Sequence, residues 1–174
     1  MRTRGKLTVA AVLLLSLCAL LALWAGAAPG TYETTVLFTH DLHSHFFPQE
    51  DGAGGQSGGY ARLKTAIDRE KAAHPGALVL DGGDFSIGSL VQALYTTQAP
   101  ELRTMGAMGY DAATVGNHEF DHEGGGFAQM LQAAVLSNGK VPALVMANYK
   151  PSPGNPDALD IQRAMAAYGV QETM

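Results

Sequence analysis

Short apolar runs alternate along this chain with segments of helical character, and no other sequence feature restricts the fold as much. The first run, residues 34–39, is β-branched and apolar, which is typical of a buried strand. The segment that begins at Tyr60 places Leu63 and Ile67 four residues apart, as in an amphipathic helix. Alternating strands and helices predict an α/β fold with largely parallel strand pairing. The predicted strands are residues 34–39, 77–80, 111–115 and 141–147, and the predicted helices are residues 60–71, 90–108, 127–136 and 157–168.

Glycine and proline predict where this pattern is interrupted. Five glycines lie between residues 52 and 59, which predicts a flexible loop without regular structure. Pro100 predicts either a break or a first helical position within residues 90–108. A proline-rich linker, residues 151–156, precedes the last predicted helix.

The first 28 residues have the character of an export segment. Three positive charges lie within the first six residues, and residues 7–28 carry no charge. Ala25 and Ala27 offer a signal-peptide cleavage site. The uncharged run is also long enough for an uncleaved signal anchor, since roughly 18 apolar residues can span a bilayer. Both alternatives predict an apolar helix that does not pack in the globular part, with the rest of the chain outside the cytoplasm.

Charge and cysteine content exclude several classes of site. The one cysteine, Cys18, lies in the export segment, so the exported part has no disulfide and no thiolate ligand. Three of the 11 Lys and Arg also lie there, which leaves 8 against 16 Asp and Glu, a net charge of −8. An acidic chain without a basic stripe argues against nucleic-acid binding. An anionic substrate would therefore need metal ions to receive it.

Polar residues follow the ends of three predicted strands. In an open α/β sheet, ligands bind beyond the carboxyl ends of the strands, and parallel pairing would bring these residues to one edge. Carboxylate, imidazole and amide ligands without sulfur suit Mn, Fe, Zn, Co or Ni. The residues are Asp41 and His43 after the first strand, Asp84 after the second, and Asn117, His118 and Asp121 after the third.

A pair of metal ions is the arrangement that these residues favour. A carboxylate can bridge two ions, and two adjacent ions clamp the attacking and leaving oxygens of a phosphoryl transfer. Asp84 is the natural bridge, because Gly82 and Gly83 allow close approach of backbone and metal.

The motif order resembles that of the calcineurin-like metallophosphoesterases. Asp41-x-His43, Gly-Gly-Asp84 and Gly-Asn117-His118-Glu follow one another, with 43 and 33 residues between Asp41, Asp84 and Asn117. The longer stretches around these motifs look like the secreted 5′-nucleotidase and UDP-sugar hydrolase branch. The resemblance covers residues 34–149. It implies that residues 32–174 are the N-terminal part of an αββα-sandwich catalytic domain.

The resemblance also implies a role for each motif residue. Asp41 and His43 would hold the first of two divalent ions, Asp84 would bridge, and Asn117 would bind the second. His118 would stabilise or protonate the phosphate oxygens, and Asp121 would orient it. Residues three apart in a turn can face one another. The nucleophile would be a water activated by the ions.

This sequence departs from the family after its third motif. Such enzymes take further histidine ligands from a second half of the catalytic domain, and no histidine follows His122 here. The 174 residues are also expected not to include the substrate-binding C-terminal domain that the resemblance implies. We therefore expect an incomplete catalytic domain that is inactive alone and that exposes apolar surface.

Three functions stay open at the level of sequence. The leading one is metal-dependent hydrolysis of a small-molecule phosphate ester, a nucleotide, cyclic nucleotide or UDP-sugar, by an exported enzyme. The second is a non-catalytic exported metal-binding protein on the same scaffold, and the third, an intracellular phosphatase or nuclease, is opposed by the export segment. Glu119 is expected to be a structural acid or to lie behind the ligands. Residues without a place in the motifs are expected to have ordinary structural roles: His40, His45, His74, His122, Phe46 and Phe47.

Overall fold

A computed structural model describes residues 33–147, 149–150 and 152–170 of the protein. The export segment predicted over residues 1–28 lies outside these residues. In the described part, no helix has the length and apolar character needed to cross a bilayer. The strands there are β1 (Val36–Thr39), β2 (Gln49–Glu50), β3 (Gln56–Ser57), β4 (Leu78–Asp81), β5 (Ala112–Ala113) and β6 (Ala143–Leu144). The helices are α1 (Tyr60–Ala73), α2 (Tyr95–Gln98), α3 (Pro100–Met108), α4 (Glu123–Leu136) and α5 (Ala158–Tyr168), with 3₁₀ turns at Leu90–Leu94 and His118–Phe120.

One four-stranded sheet has the order β1-β4-β5-β6, and all its pairings are parallel. Phe38 pairs with Leu80, Leu80 with Ala112, and Ala112 with Ala143. The carboxyl ends of these strands therefore meet at one edge of the sheet. The predicted α/β class with parallel pairing is confirmed.

The glycine-rich segment corrects the sequence analysis. Residues 52–59 were expected to lack regular structure, but β2 and β3 pair antiparallel on either side of a tight turn. The Asp51 carboxylate oxygen Oδ1 accepts hydrogen bonds from the amides of Ala53 and Gly55, both at 2.9 Å. An Asp side chain that bonds to the backbone ahead of it organises a turn even where glycine is abundant.

The helical segment around Pro100 follows its sequence signal. Ala99 has φ 44°, in the left-handed region, and separates α2 from α3, whose first residue is Pro100. Helix α2 ends at Gln98 because Ala99 directly precedes proline, and the residue before a proline disfavours the helical conformation.

Helix α4 begins four residues earlier than its apolar pattern predicts, at Glu123. Glycines 124–126 lie inside the helix although glycine is a poor helix former. A Cβ at Gly124 would lie 2.7 Å from Ile161 Cδ1 of α5, so glycine there lets the buried Ile161 side chain pack against the start of α4. Tertiary packing overrides local propensity at this point.

The sheet has a buried face and a partly open one. Val79 is fully buried, and the core around it includes Tyr95, Leu102, Phe127, Leu131, Leu144 and Ile161. On the opposite face, Phe38 is 60% exposed and Val36 and its pairing partner Leu78 are also exposed. Alternate residues of a strand point to opposite faces, which places these three side chains together. These three exposed apolar side chains form a small apolar surface on β1 and β4.

Candidate functional site

The loops that follow β1 and β4 run side by side. The amide of Asp41 donates to the carbonyl of Gly83 at 3.0 Å, and the amide of His43 donates to the carbonyl of Asp84 at 3.1 Å. Backbone hydrogen bonds thus continue past the last paired residues of the strands. They place the Asp-x-His motif directly beside Asp84.

The loop after β5 packs against Asp84 from the other side. The amide of His118 donates to Asp84 Oδ1 at 2.9 Å. Gly83 has φ 94°, and a Cβ there would overlap the backbone of Gly116, while a Cβ at Gly116 would overlap the Asp84 carboxylate. Glycine is needed at both positions because the loops approach so closely. Gly83 therefore serves loop-to-loop packing, a role that the sequence analysis did not assign to it.

Three of the predicted ligands have unusual backbone conformations. Asp41, His43 and Asp84 have φ angles of 52°, 45° and 53°. Few residues other than glycine occupy this left-handed region, and each such residue costs about 1–3 kcal/mol. Strain of this kind concentrates at functional sites, where surrounding contacts hold it in place. Three strained residues in two adjoining loops mark this edge of the sheet as the candidate site.

The imidazole of His43 is oriented for a cation. Its Nδ1 lies 2.8 Å from the carbonyl of Ile87, and since a carbonyl can only accept, Nδ1 carries the proton. In the neutral ring Nε2 is then an acceptor, and it lies 3.5 Å from Asp41 Oδ1. Both atoms can therefore offer a lone pair to one cation placed between them. A carbonyl behind the other ring nitrogen is also the usual support of a histidine metal ligand.

The other two predicted ligands, Asp84 and Asn117, are not paired with His43 as Asp41 is. Asp84 contributes one carboxylate oxygen to the amide of His118, and the side chain of Asn117 is exposed. Within the described residues, no group of three or more His, Cys, Asp or Glu side chains converges on a point where a metal ion could bind. The donors nevertheless fit a divalent ion at Asp41 and His43, with Asp84 in the adjoining loop.

His118 and Asp121 form the pair that their spacing predicts. His118 Nδ1 lies 2.9 Å from Asp121 Oδ2, and the His118 ring centroid lies 5.0 Å from that of His43. The hydrogen bond to Asp121 raises the pKa of His118 above its ordinary value. Because Nδ1 is engaged, Nε2 is the atom left to donate a proton or a hydrogen bond.

His40 has a contact that the sequence analysis did not predict. Its Nδ1 forms a short hydrogen bond with Asp41 Oδ2, the carboxylate oxygen that does not face His43. This bond lowers the pKa of Asp41 and raises that of His40. The adjacency of His40 to Asp41 was the available signal. The other unassigned histidines have structural contacts: His45 with the Leu42 carbonyl, His74 at the end of α1, and His122 stacked on Tyr95.

A buried carboxyl lies beneath the site at the end of β4. Asp81 is 4% exposed and accepts hydrogen bonds from Thr39 Oγ1 at 2.6 Å and from the amide of Gly83 at 2.9 Å. Burial raises the pKa of Asp81 to about 6 from 3.8. The folded state therefore binds this proton more tightly than the unfolded state, and stability falls as pH rises from about 4 to about 6.

Replacing this carboxyl tests that linkage. Asp81→Asn keeps an oxygen for the Gly83 amide and cannot ionise, so we expect a gain of up to about 2 kcal/mol in the free energy of unfolding above pH 6. Urea unfolding between pH 4 and pH 7 measures it, with the exposed Asp68→Asn as control. Parallel pH curves for Asp81→Asn and the parent chain would contradict the role of burial.

Comparison with known proteins identifies the family. The calcineurin-like phosphoesterase family matches residues 34–156. This chain belongs to that family. The match includes all three loops of the candidate site, and the family resemblance of the motifs is confirmed.

Individual proteins that are similar to this chain support the same family assignment. It is 38% identical over 123 residues to a probable 5′-nucleotidase of Treponema pallidum (strain Nichols), covering 65% of this chain and 21% of the relative. It is 37% identical over 140 residues to the 5′-nucleotidase of Homo sapiens, covering 77% and 23%. The crystal structure of a 5′-nucleotidase precursor from Thermus thermophilus is similar with a TM-score of 0.57 at 31% identity, covering 69% and 23%. The chain thus spans about a fifth of the length of the curated relatives it matches.

Proposed function

We propose that this chain is part of a metal-dependent phosphoester hydrolase that acts on nucleotides or related small phosphate esters. The observation that carries the proposal is the meeting of three loops at one sheet edge, which brings Asp41, His43, Asp84 and the His118–Asp121 pair together. The names of the relatives, 5′-nucleotidases from a bacterium and a mammal, support a nucleotide as substrate.

Calcineurin-like phosphoesterases are dinuclear metal enzymes. In this chain Asp41 and His43 would hold one ion, Asp84 would bridge, and Asn117 would bind the second. Such a pair of ions supplies an activated water and neutralises charge on the leaving oxygen. Mn, Zn, Fe, Co and Ni all suit these donors.

Asp121, His118 and His43 would have different roles in the proposed reaction. Asp121 accepts the hydrogen bond from His118 Nδ1, which fixes the ring and favours its protonated form. His118 Nε2 donates to a phosphate oxygen as negative charge develops on it in the transition state. The hydrogen bond from His43 to the Ile87 carbonyl keeps its Nε2 aimed at Asp41.

The second half of the dinuclear site is the weaker one here. Asp84 and Asn117 are its two proposed ligands, and a divalent ion of this class is usually held by more. We therefore propose that residues 29–174 bind the first ion weakly, bind the second more weakly, and show negligible turnover alone. The proposed organisation is an export segment, residues 1–28, followed by catalytic-domain residues 32–174, with membrane contact only through the export segment. A secreted, periplasmic or cell-surface location follows from that segment.

A non-catalytic metal-binding protein is the second candidate. It is favoured by the sequence after His122, which contains no further histidine and so leaves the second ion with two proposed ligands. It predicts metal binding without turnover under every condition.

One experiment separates these candidates. The chain is assayed for release of phosphate from nucleoside monophosphates with added Mn²⁺, alone and joined to whatever coding sequence follows codon 174. We expect negligible turnover from the chain, measurable turnover from the longer product, and loss of that turnover with a chelator. A longer product that contains further histidines, binds Mn²⁺ and hydrolyses no phosphate ester would favour the non-catalytic protein.

A further inference from the structure

The side chain of Glu119 is fully buried between two loops of the candidate site. Its oxygen Oε2 accepts from the amides of Asp84 at 3.0 Å and Gly116 at 2.6 Å. Its oxygen Oε1 accepts from the amide of Ser86 at 3.0 Å and from Ser86 Oγ at 2.7 Å. One carboxylate therefore joins the loop after β4 to the loop after β5.

The link between the two loops is reciprocal. While Glu119 receives the amide of Asp84, the Asp84 carboxylate receives the amide of His118 at 2.9 Å. The Tyr95 hydroxyl donates to the backbone carbonyl of Glu119 at 2.7 Å, which secures the turn itself. The strained φ of 53° at Asp84 is thus held from both its backbone and its side chain.

This contact uses only the acceptor sites of the Glu119 carboxylate. All four groups that face Glu119 are donors, and an ionised carboxylate has only acceptor sites. Hydrogen bonds to a charged acceptor are about twice as strong as neutral ones. Glutamine has the same shape but would turn its NH₂ group toward N–H donors, leaving buried amides without acceptors.

We propose that Glu119 is a positioning residue that fixes the Asp84 carboxylate relative to the Asn117–His118 turn and thereby sets the metal affinity of the site. This inference rests on the proposed function, since Asp84 and Asn117 are proposed ligands. Both oxygens of Glu119 already accept two hydrogen bonds each, so Glu119 is proposed neither as a metal ligand nor as a group that contacts substrate. Groups that orient metal ligands from behind change metal affinity by about 10–100-fold when they are altered.

The test compares two buried glutamates. Glu119→Gln is compared with Glu101→Gln. Glu101 is 1% exposed, and within the described residues its side chain accepts one hydrogen bond, from Ser44 Oγ at 2.6 Å. A glutamine at this position can still accept that hydrogen bond. Ser86→Ala is the milder second variant, since it removes one of the four donors to Glu119 and leaves the charge in place. Mn²⁺ titration of the 174-residue chain, followed by EPR of free Mn²⁺, measures affinity, and circular dichroism confirms folding. Amide hydrogen exchange of the metal-free chain reports separately on Asp84, Ser86 and Gly116.

The expected results are specific to Glu119. Glu119→Gln should weaken Mn²⁺ binding about 10–100-fold, Ser86→Ala several-fold, and Glu101→Gln less than about twofold. The three amides should exchange faster in Glu119→Gln while those of α5 do not. Folded Glu119→Gln that binds Mn²⁺ like the parent chain, or Glu101→Gln with an equal loss, would overturn the positioning role. If Glu119→Gln does not fold, the Mn²⁺ affinity of Ser86→Ala tests the positioning role instead, and an affinity equal to that of the parent chain would overturn it. A parent chain that binds no Mn²⁺ overturns the proposed function, whereas unchanged exchange in Glu119→Gln overturns the loop link itself.

Discussion

Asp84→Ala is expected to abolish metal binding and hydrolysis together in the proposed hydrolase. Asp84 is the proposed bridging ligand, so its removal takes one donor from each ion. Two-metal sites contribute several kcal/mol to transition-state stabilisation, and each 1.36 kcal/mol is tenfold in rate. We therefore expect turnover to fall by at least about 10³-fold. Metal analysis of the purified variant beside hydrolysis of a nucleoside monophosphate measures both effects.

The alanine variant needs a control because Asp84 also has a structural contact. Its carboxylate accepts from the amide of His118, and its φ of 53° is costly for alanine, by roughly 1–2 kcal/mol. Asp84→Asn keeps an oxygen for that amide and tolerates the left-handed conformation. If Asp84→Asn also loses metal while it stays folded, the lost charge is responsible. Retention of full metal content in Asp84→Asn would contradict the bridging role.

The parts of the site that the sequence predicts are those set by strand order and motif spacing. Asp41, His43 and Asp84 follow two strands that pair in parallel, so their loops had to meet at one edge. The His118–Asp121 contact follows from a spacing of three in a turn. These inferences need only the backbone, because local geometry determines where such residues lie.

The buried hydrogen bonds that hold the loops of the site together were harder to predict. Ser86 and Glu119 are 33 residues apart, and no periodicity connects a serine amide after one strand with a carboxylate after the next. The same holds for Ser44 and Glu101, which are 57 residues apart. Such contacts depend on how closely two loops pack, which the glycines at 83 and 116 allow but do not specify. The early start of α4 was missed for a similar reason, since the packing of Ile161 of α5 against Gly124 is a long-range contact, whereas local propensity disfavours glycine in a helix.

His118→Ala should separate catalysis from metal binding in the proposed hydrolase. His118 is bonded to Asp121 through Nδ1 and is proposed to act on the phosphate through Nε2, so its loss removes a proton donor and leaves every proposed ligand in place. General acid catalysis contributes typically 10²–10⁴-fold, and we expect kcat to fall by about that factor with metal content nearly intact. Asp121→Asn is the matched control: it can still accept from Nδ1 but lacks the charge that favours the protonated ring, and should lower kcat less than His118→Ala. Loss of metal from His118→Ala as complete as from Asp84→Ala would make His118 a ligand and would refute the proposed division of roles.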